Sequence, residues 1–487
     1  MLGAGIGVRD GVVLIFLPQD ADAIATFVGV MWAGAVPSFM PLPSAKQEPT
    51  RYWSSHRALL ETIAPAALVT TKTHAAAMRA NALDTLVPKI VAIEDLLAAA
   101  PLTRAEAAPR DVVLLQHSSG TTALKKGVAL GDAAICAQVE AYAAALKADA
   151  RDVVASWLPL YHDMGLIAGT LLPLMLGQTI ALLDPFKWVG KPGTLFEAIR
   201  AERATLCWLP NFAFAHLVRT VSPDTKKYDL SSMRAFVNCS EPCKPATMDA
   251  FAARFAPIGA KPEMLQASYA MAETVFAVTQ TPVGRAPRVV ERDGMRLMSS
   301  GASLGGVTLT VEDENGAALR DGAVGEFMVR APFLFSGYNK RADLTAEKLS
   351  GGTYRTNDLG FIQDGEAYVL GRKDDLLIIH GRNYFAHEIE AVAAGVEGVK
   401  PGRVVAIGVY SEAVGSEDLL VIAEVDDAMS DEARRAFKPR LRGEILQALG
   451  ADARDVHLVP PGWLVKTTSG KIARRENKAK YLKEIST

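Results

Sequence analysis

The chain has 487 residues, 49% of them hydrophobic, which is enough for two or more domains with sizeable cores. Its formal charge of −2 lacks the basic excess of a nucleic-acid binder. Four scattered cysteines, Cys136, Cys207, Cys239 and Cys243, exclude a disulfide framework and suit a reducing cytoplasm as small buried thiols.

Residues 11–17 form a β-type apolar run. A helical segment follows with Ile24, Phe27, Val28 and Met31 at three- and four-residue spacing, and then the proline-bearing exit AVPSFMPLP, which together open a βαβ pattern. Residues 59–63 and 67–70 repeat the theme. The apolar runs 21–40 and 165–183 are no membrane segments, because Asp22 and Pro37 interrupt the first and Pro173, Gly177 and Gln178 the second. The second reads as a buried helix turning into a buried strand.

Apolar residues 112–115 run into Ser118-Ser119-Gly120-Thr121-Thr122, followed by Lys125 and Lys126. This reads as a strand entering a polyphosphate loop: Gly120 permits a tight turn, hydroxyls and amides can face phosphate oxygens, and Lys126 adds a positive charge. The Walker order of glycine, lysine, then Ser or Thr is absent, which excludes an ordinary P-loop. Alone, the stretch is equally compatible with a Ser/Thr-rich surface turn.

Ile135, Val139, Tyr142 and Leu146 mark one helix face, with Asp132 as N-cap, and residues 153–157, 179–183, 204–209 and 233–239 are strand-like. The alternation predicts parallel sheets covered on both faces, with ligands beyond the strand carboxyl ends. Past Gly301 the strands shorten and Asp364-Gly365 signals a hairpin. From about Arg372 a smaller α+β unit begins, with strands near 375–380, 403–410 and 418–425. It also has a helix carrying Phe437, Leu441, Ile445 and Leu449 between Ser430 and Gly450. The expected fold class is α/β, with a large N-terminal domain of parallel α/β sheets over 1–372. That domain includes a barrel-like β subdomain at about 301–371, and a small α+β domain follows over 373–487.

Several segments carry chemistry. SWLPLYHDMGL, residues 156–166, places His162 and Asp163 at a strand end, and WLPNFAF follows at 208–214. NCSEP at 238–242 and SYAMAET at 268–274 offer Tyr269 as a flat face for a base and Glu273 as a hard ligand for Mg²⁺. In YRTNDLG, residues 354–360, the Asp358 carboxylate can accept both hydroxyls of a ribose. GRKDD begins at Gly371, GRNYFAHEIE at Gly381, and KTTSGKIAR at Lys466.

In this order, these segments resemble the luciferase-type adenylate-forming enzymes, with fatty-acyl-AMP ligases and acyl-ACP synthetases the nearest. The resemblance spans nearly the whole chain. It implies ATP and Mg²⁺ as cofactors, a phosphate loop at Ser118, Ser119, Gly120, Thr121, Thr122 and Lys126, and Lys471 and Glu273 as catalytic groups, with Glu273 on the metal. It implies nucleotide contacts from Ser240, Glu241, Pro242, Ser268, Tyr269, Ala270, Met271, Asp358 and Arg372. Asp374 is the implied hinge of a mobile C-terminal lid, and His162, Asp163, Trp208, Pro210 and Asn211 the implied acyl-site lining. The implied reaction turns a carboxylic acid into an acyl-adenylate. The acyl group then passes to a carrier-protein phosphopantetheine or to CoA, with no nucleic acid and no transmembrane segment involved.

The chain departs from the pattern at Ala123, Lys125, Ala270, Asn357 and Val465, and it lacks the helical lead-in before the first strand. That lead-in is either trimmed or encoded upstream. Small residues usually precede Pro210, but Trp208 and Leu209 stand there. Pointing inward, either side chain would limit the acid to a compact acyl group; otherwise Trp208 packs in a core strand. Only residues 276–298 separate SYAMAET from Ser299-Ser300-Gly301, so the insertion that accompanies refusal of CoA in fatty-acyl-AMP ligases is shortened. The basic tail from Lys466 either greets an acidic carrier or is a solvated helix end. Three readings therefore stand beside carrier acylation: a CoA ligase, an amino-acid-adenylating enzyme using Asp163 for an ammonium group, and a catalytically silent nucleotide-binding homologue.

Overall fold

The computed structural model describes residues 10–43, 49–96, 110–117, 126–292, 294–379, 382–400, 402–411, 416–426, 428–466 and 472–485. Two compact units emerge. One comprises Met1–Ser118, Leu124–Thr356 and Gly360–Val369, the other Ser119–Ala123, Asn357–Leu359 and Leu370–Thr487.

The first unit opens with a four-stranded parallel sheet in the order Val36–Phe39, Val12–Phe16, Ala67–Thr70, Ile90–Ala92. Val13 to Phe16 are wholly buried, as a central parallel strand covered on both faces requires. The helix Ala21–Trp32 is capped by the Asp20 side chain, which accepts from the Ala23 amide at 3.1 Å. It buries Ala23, Thr26, Phe27 and Val30, with Phe27 stacked on Phe39 at 5.6 Å. Val28, expected on this face, points outward at 43% exposure. The buried stripe runs through Ala23, Thr26, Phe27 and Val30, which leaves Val28 and Trp32 outward.

A short antiparallel sheet pairs Leu114–His117 with Gly127–Leu130, and Gly337–Tyr338 adds to the outer edge. His117 faces Gly127, so both ends of the expected phosphate loop are anchored at paired backbone. Gly131, not Asp132, occupies the N-cap of the next helix, Asp132–Leu146. The Asp132 carboxylate still bonds the Ala133 amide at 2.6 Å, where the helix dipole favours a negative charge. Cys136 lies on the exposed face of this helix, unlike the buried Cys207 and Cys239.

The large sheet has a parallel half in the order Thr179–Leu182, Val153–Ser156, Leu206–Leu209, Ala235–Asn238, Leu265–Ala270. Ala277–Gln280 then joins antiparallel to Leu265–Ala270, and Ala302–Ser303, Glu366–Arg372, Thr353–Gln363, Gly325–Arg330 and Thr308–Glu312 continue outward. The barrel expected near 301–371 does not close among the described residues. Ala302–Ser303 is paired on both sides, so its strands extend an open sheet. The Asp364-Gly365 turn has both residues at positive φ, 52° and 76°, as the sequence signal requires.

Register sorts the side chains of the parallel half between two faces. Trp208 aligns with Val237, and Val237 with Gln266, so Trp208, Cys239 and Ser268 share one face and Phe236 and Asn238 the other. The second face is covered by the helices Asn211–Thr220 and Pro245–Phe255, through contacts such as Phe236 and Phe214 against Phe251. The first is covered by Asp132–Leu146 and by Met164–Leu171, eight residues of π-helix. Wider coils of this type occur mainly at functional sites. This segment presses on the strand below it: a Cβ at Gly169 would stand 2.8 Å from the Ser156 hydroxyl. No helix among the described residues is long and apolar enough to cross a membrane.

The second unit has a five-stranded sheet, with Arg382–Phe385, Leu376–Ile379, Ser416–Glu424 and Val404–Ser411 in sequence across it and Ala453–Val459 paired to Ser416–Glu424. Ser430 caps the helix Asp431–Leu449, Gly450 ends it at φ 67°, and Phe437, Leu441 and Ile445 are buried, as their spacing predicts. Arg474 is held by Asp375 and Glu390, each at 2.7 Å. Burial alone would lower its pKa, but those two carboxylates outweigh burial and raise it.

At the amino edge of the large sheet, Asp152 is 4% exposed and takes Arg234 Nη1 on both oxygens at 2.6 Å, with the Thr205 hydroxyl at 2.7 Å. Asp152→Ala leaves Arg234 without its counter-charge. It is expected to cost about 3 kcal/mol of stability, read as a lower urea midpoint at unchanged slope.

Candidate active site

The strand Leu265–Ala270 ends in a register shift at Ala270, passes through the 3₁₀ turn Ala272–Thr274, and returns as Ala277–Gln280. Val275, at the reversal, has φ 62° and ψ −53°, and the Phe276 amide bonds the Thr274 carbonyl at 2.6 Å. This is a γ-turn of the rare positive-φ kind with a β-branched residue at its centre, a strain of order ~1–3 kcal/mol. Its surroundings hold it. Gln138 Oε1 accepts from the same Phe276 amide at 3.1 Å, the Thr274 hydroxyl donates to the Phe276 and Met271 carbonyls, and the Phe335 amide donates to the Glu273 carbonyl.

Glu273 is thereby fixed at a strand exit, half-buried. Its Oε1 accepts from the Tyr338 hydroxyl at 2.8 Å, and that hydroxyl lies 3.4 Å from the Tyr354 hydroxyl. Tyr338 pairs with Val128, which brings the Lys126 ammonium to 5.4 Å from its ring centroid. A carboxylate, the ammonium of Lys126 and two phenols therefore converge. Among the described residues no cluster of three or more His, Cys, Asp or Glu side chains stands ready for a metal. Glu273 itself offers one carboxylate, a donor that fits Mg²⁺, which takes one or two carboxylates and completes its shell with phosphate and water.

The other expected residues of the first unit fall at neighbouring strand exits. Asp163 accepts from the Met164 amide at 2.8 Å, capping the π-helix, and stands 2.5 Å from His162 Nδ1. The pair is nearly buried, with 11% and 15% of the respective side chains exposed. Ser240 sits at φ 67°, with its hydroxyl 4.0 Å from Met164 Sδ. Glu241 accepts from the Phe212 amide at 3.0 Å, and between Glu241 and Cys243 the chain continues through Pro242. Asn211, which follows Pro210, braces two exits by accepting from Asn238 Nδ2 and the Lys244 amide. Ser268 donates to the Thr279 carbonyl, and the Tyr269 ring lies 5.6 Å from Phe327 at 7% exposure. Ala270 and Met271 are half-buried beside it. Trp208 is wholly buried and donates its indole N–H to the Tyr142 hydroxyl at 2.7 Å. Burial, then the nearby Cys239, push the Tyr142 phenol well above its ordinary pKa. Burial and the Glu241 charge push the Cys243 thiol up to about 12, so it is no thiolate at neutral pH.

In the second unit, Arg372 Nε stands 3.2 Å from Asp358 Oδ1, so the two expected ribose contacts form one pair. Asn357 has φ 65°, which explains how it replaces the usual glycine: asparagine is among the few other residues that tolerate this region. Asp374 pairs with Arg475 at 3.3 Å. Lys471 and Ser118, Ser119, Gly120, Thr121 and Thr122 lie outside the described residues, although Lys466 and Ile472, flanking the lysine motif, form a β-bridge. Sequence reasoning missed Tyr338, Tyr354 and Gln138, which acquire their roles only through tertiary contacts.

Residues 1–339 match the AMP-binding enzyme family. A putative fatty-acid–CoA ligase, fadD25, of Mycobacterium tuberculosis is 30% identical over 95% of this chain and 86% of its own length. The 4-hydroxyphenylalkanoate adenylyltransferase of Mycobacterium marinum is 31% identical over 98% and 83%. A solved structure from a study of fatty acyl-adenylate ligases of E. coli and L. pneumophila superposes with TM-score 0.88 at 25% identity, covering 98% of this chain and 89% of that one. McyG A-PCP complexed with phenylalanyl-adenylate gives 0.87 at 19% identity over 98% and 75%, a likeness of fold alone. The residues converging on Glu273 and the extent of these matches lead to one conclusion: the chain belongs to the AMP-binding enzyme family of adenylate-forming, acyl-activating enzymes.

Proposed function

We infer that this chain uses ATP and Mg²⁺ to activate a carboxylic acid as its acyl-adenylate and then delivers the acyl group to the phosphopantetheine thiol of a carrier protein. The observation that carries the first half is the convergence of Glu273, Tyr338 and Lys126 at one strand exit. A carboxylate oxygen of the acid attacks the α-phosphorus, the bond to the bridging oxygen breaks, and pyrophosphate leaves with that electron pair. Lys126 meets the phosphate charge, and Tyr338 orients the Glu273 carboxylate toward the metal. Bound Mg²⁺ supplies charge neutralisation on the phosphate oxygens. Asp358 accepts the ribose hydroxyls, with Arg372 holding its carboxylate in place. Lys471 neutralises the reacting carboxylate and α-phosphate together. Pivoting at Asp374 then withdraws Lys471 and opens the adenylate to the thiol, whose sulfur displaces AMP from the acyl carbon.

Support for a carrier comes from the similarity to fatty acyl-adenylate ligases. The shortened insertion, which forms the hairpin Val289–Arg292 with Met295–Met298, weighs the other way, toward CoA. Arg292 anchors this hairpin to the Gly322 carbonyl at 2.8 Å and Arg296 to Asp249 at 3.1 Å. The fatty-acid–CoA ligase names among the relatives favour CoA as the second reading.

Lys471→Ala is expected to slow acid-dependent ATP–pyrophosphate exchange by about 10²–10³-fold. Tyr338→Phe removes one hydrogen bond to a charged group and should cost about tenfold in the same assay, with a higher Mg²⁺ requirement. Intact-mass analysis with mixed acids, CoA and a phosphopantetheinylated carrier decides the acceptor. Carrier mass gain without acyl-CoA upholds the proposal, and acyl-CoA as main product replaces it with the second reading. Bound ATP with no exchange for any acid would leave a catalytically silent nucleotide-binding protein.

A further inference from the structure

Tyr142, Trp208 and Gln280 form a closed chain of hydrogen bonds inside the first unit. The indole N–H of Trp208 donates to the Tyr142 hydroxyl at 2.7 Å, that hydroxyl donates to Gln280 Oε1 at 3.0 Å, and Gln280 Nε2 donates to the Thr281 carbonyl at 3.0 Å. All three side chains are at least 96% buried. The phenol stands edge-on to Phe276, with ring centroids 5.4 Å apart.

The position of this chain relative to Glu273 gives it a function. Gln138 grips the Phe276 amide immediately behind the Glu273 turn, and Tyr142 lies one helical turn further along the same helix, about 6 Å away. The strand Ala277–Gln280 runs the same way, from that turn to Gln280, which pairs with Ser268. Cys239, Ser268 and Trp208 share one face of the sheet leading back from the Glu273 turn, so an acyl tail that extends along this face from a carboxylate near Glu273 and Lys126 meets Trp208. We propose that Trp208, pinned by Tyr142 and Gln280, is the floor of the acyl site and restricts this enzyme to short or compact carboxylic acids. Swinging the indole aside would leave its N–H without an acceptor in a dry interior, which opposes displacement by a longer chain. Trp208 acts by filling the space, and Tyr142 is a positioning residue. The proposal rests on the acyl-adenylate reading.

The test measures dissociation constants of acyl sulfamoyl-adenosines, stable analogues of acyl-adenylates, across acetyl, butanoyl, hexanoyl, octanoyl and dodecanoyl groups. Burial strengthens binding by about fourfold per methylene. In the wild type this gain stops after the shortest members, and octanoyl binds no better than butanoyl. In Trp208→Ala the gain continues, so the octanoyl-to-acetyl affinity ratio rises at least tenfold over wild type. Tyr142→Phe and Trp208→Phe give intermediate ratios and serve if the alanine variant lacks a cooperative melt. A wild type that tightens through dodecanoyl, or variants with the wild-type ratio, overturn the proposal and return Trp208 to core packing. Failure of the wild type to bind even the acetyl analogue overturns the acyl-adenylate reading itself, and the floor with it.

Discussion

Leu265–Ala270 pairs in parallel with Ala235–Asn238 on one edge and antiparallel with Ala277–Gln280 on the other, and the first unit depends on that double pairing. The parallel edge aligns the strand with the βα layers, whose carboxyl ends are where such sheets bind ligands. The antiparallel edge forces the chain to reverse at that same end within a few residues. Glu273 occupies the reversal. Its position is a by-product of joining two kinds of sheet, which is why the site needs no separate loop to carry its carboxylate.

Much of this was legible from the chain itself. The Asp431–Leu449 helix shows both its caps and its buried stripe, and the Asp364-Gly365 turn shows its positive-φ preference. Where packing decides, the pattern was less reliable. The buried face of Ala21–Trp32 takes in Thr26 and turns Val28 outward, and the π-helix at Met164–Leu171 depends on how closely Gly169 can approach Ser156. The barrel did not appear because strand spacing and length say nothing about whether a sheet's two edges meet.

The candidate site divides in the same way. Glu273, Asp358 and Arg372 could be named from short motifs because a hard cation and a ribose each require particular donors. Tyr338 and Gln138 could not, since each works by touching a residue at least 65 positions away. Trp208 stood between two readings in the sequence. Its bond to Tyr142 shows that its burial is also a fixed orientation, which neither reading contained.

The turn at Val275 sets stability against turnover at a single position. Its side chain sits in a backbone region suited to glycine, and the hydrogen bonds from Gln138 and Thr274 hold it there at the expense of the fold's own stability. Glycine at this position would release the strain but free the Glu273 backbone to wander. A search for hardier variants of this protein would therefore be drawn to the one substitution that loosens the Glu273 carboxylate.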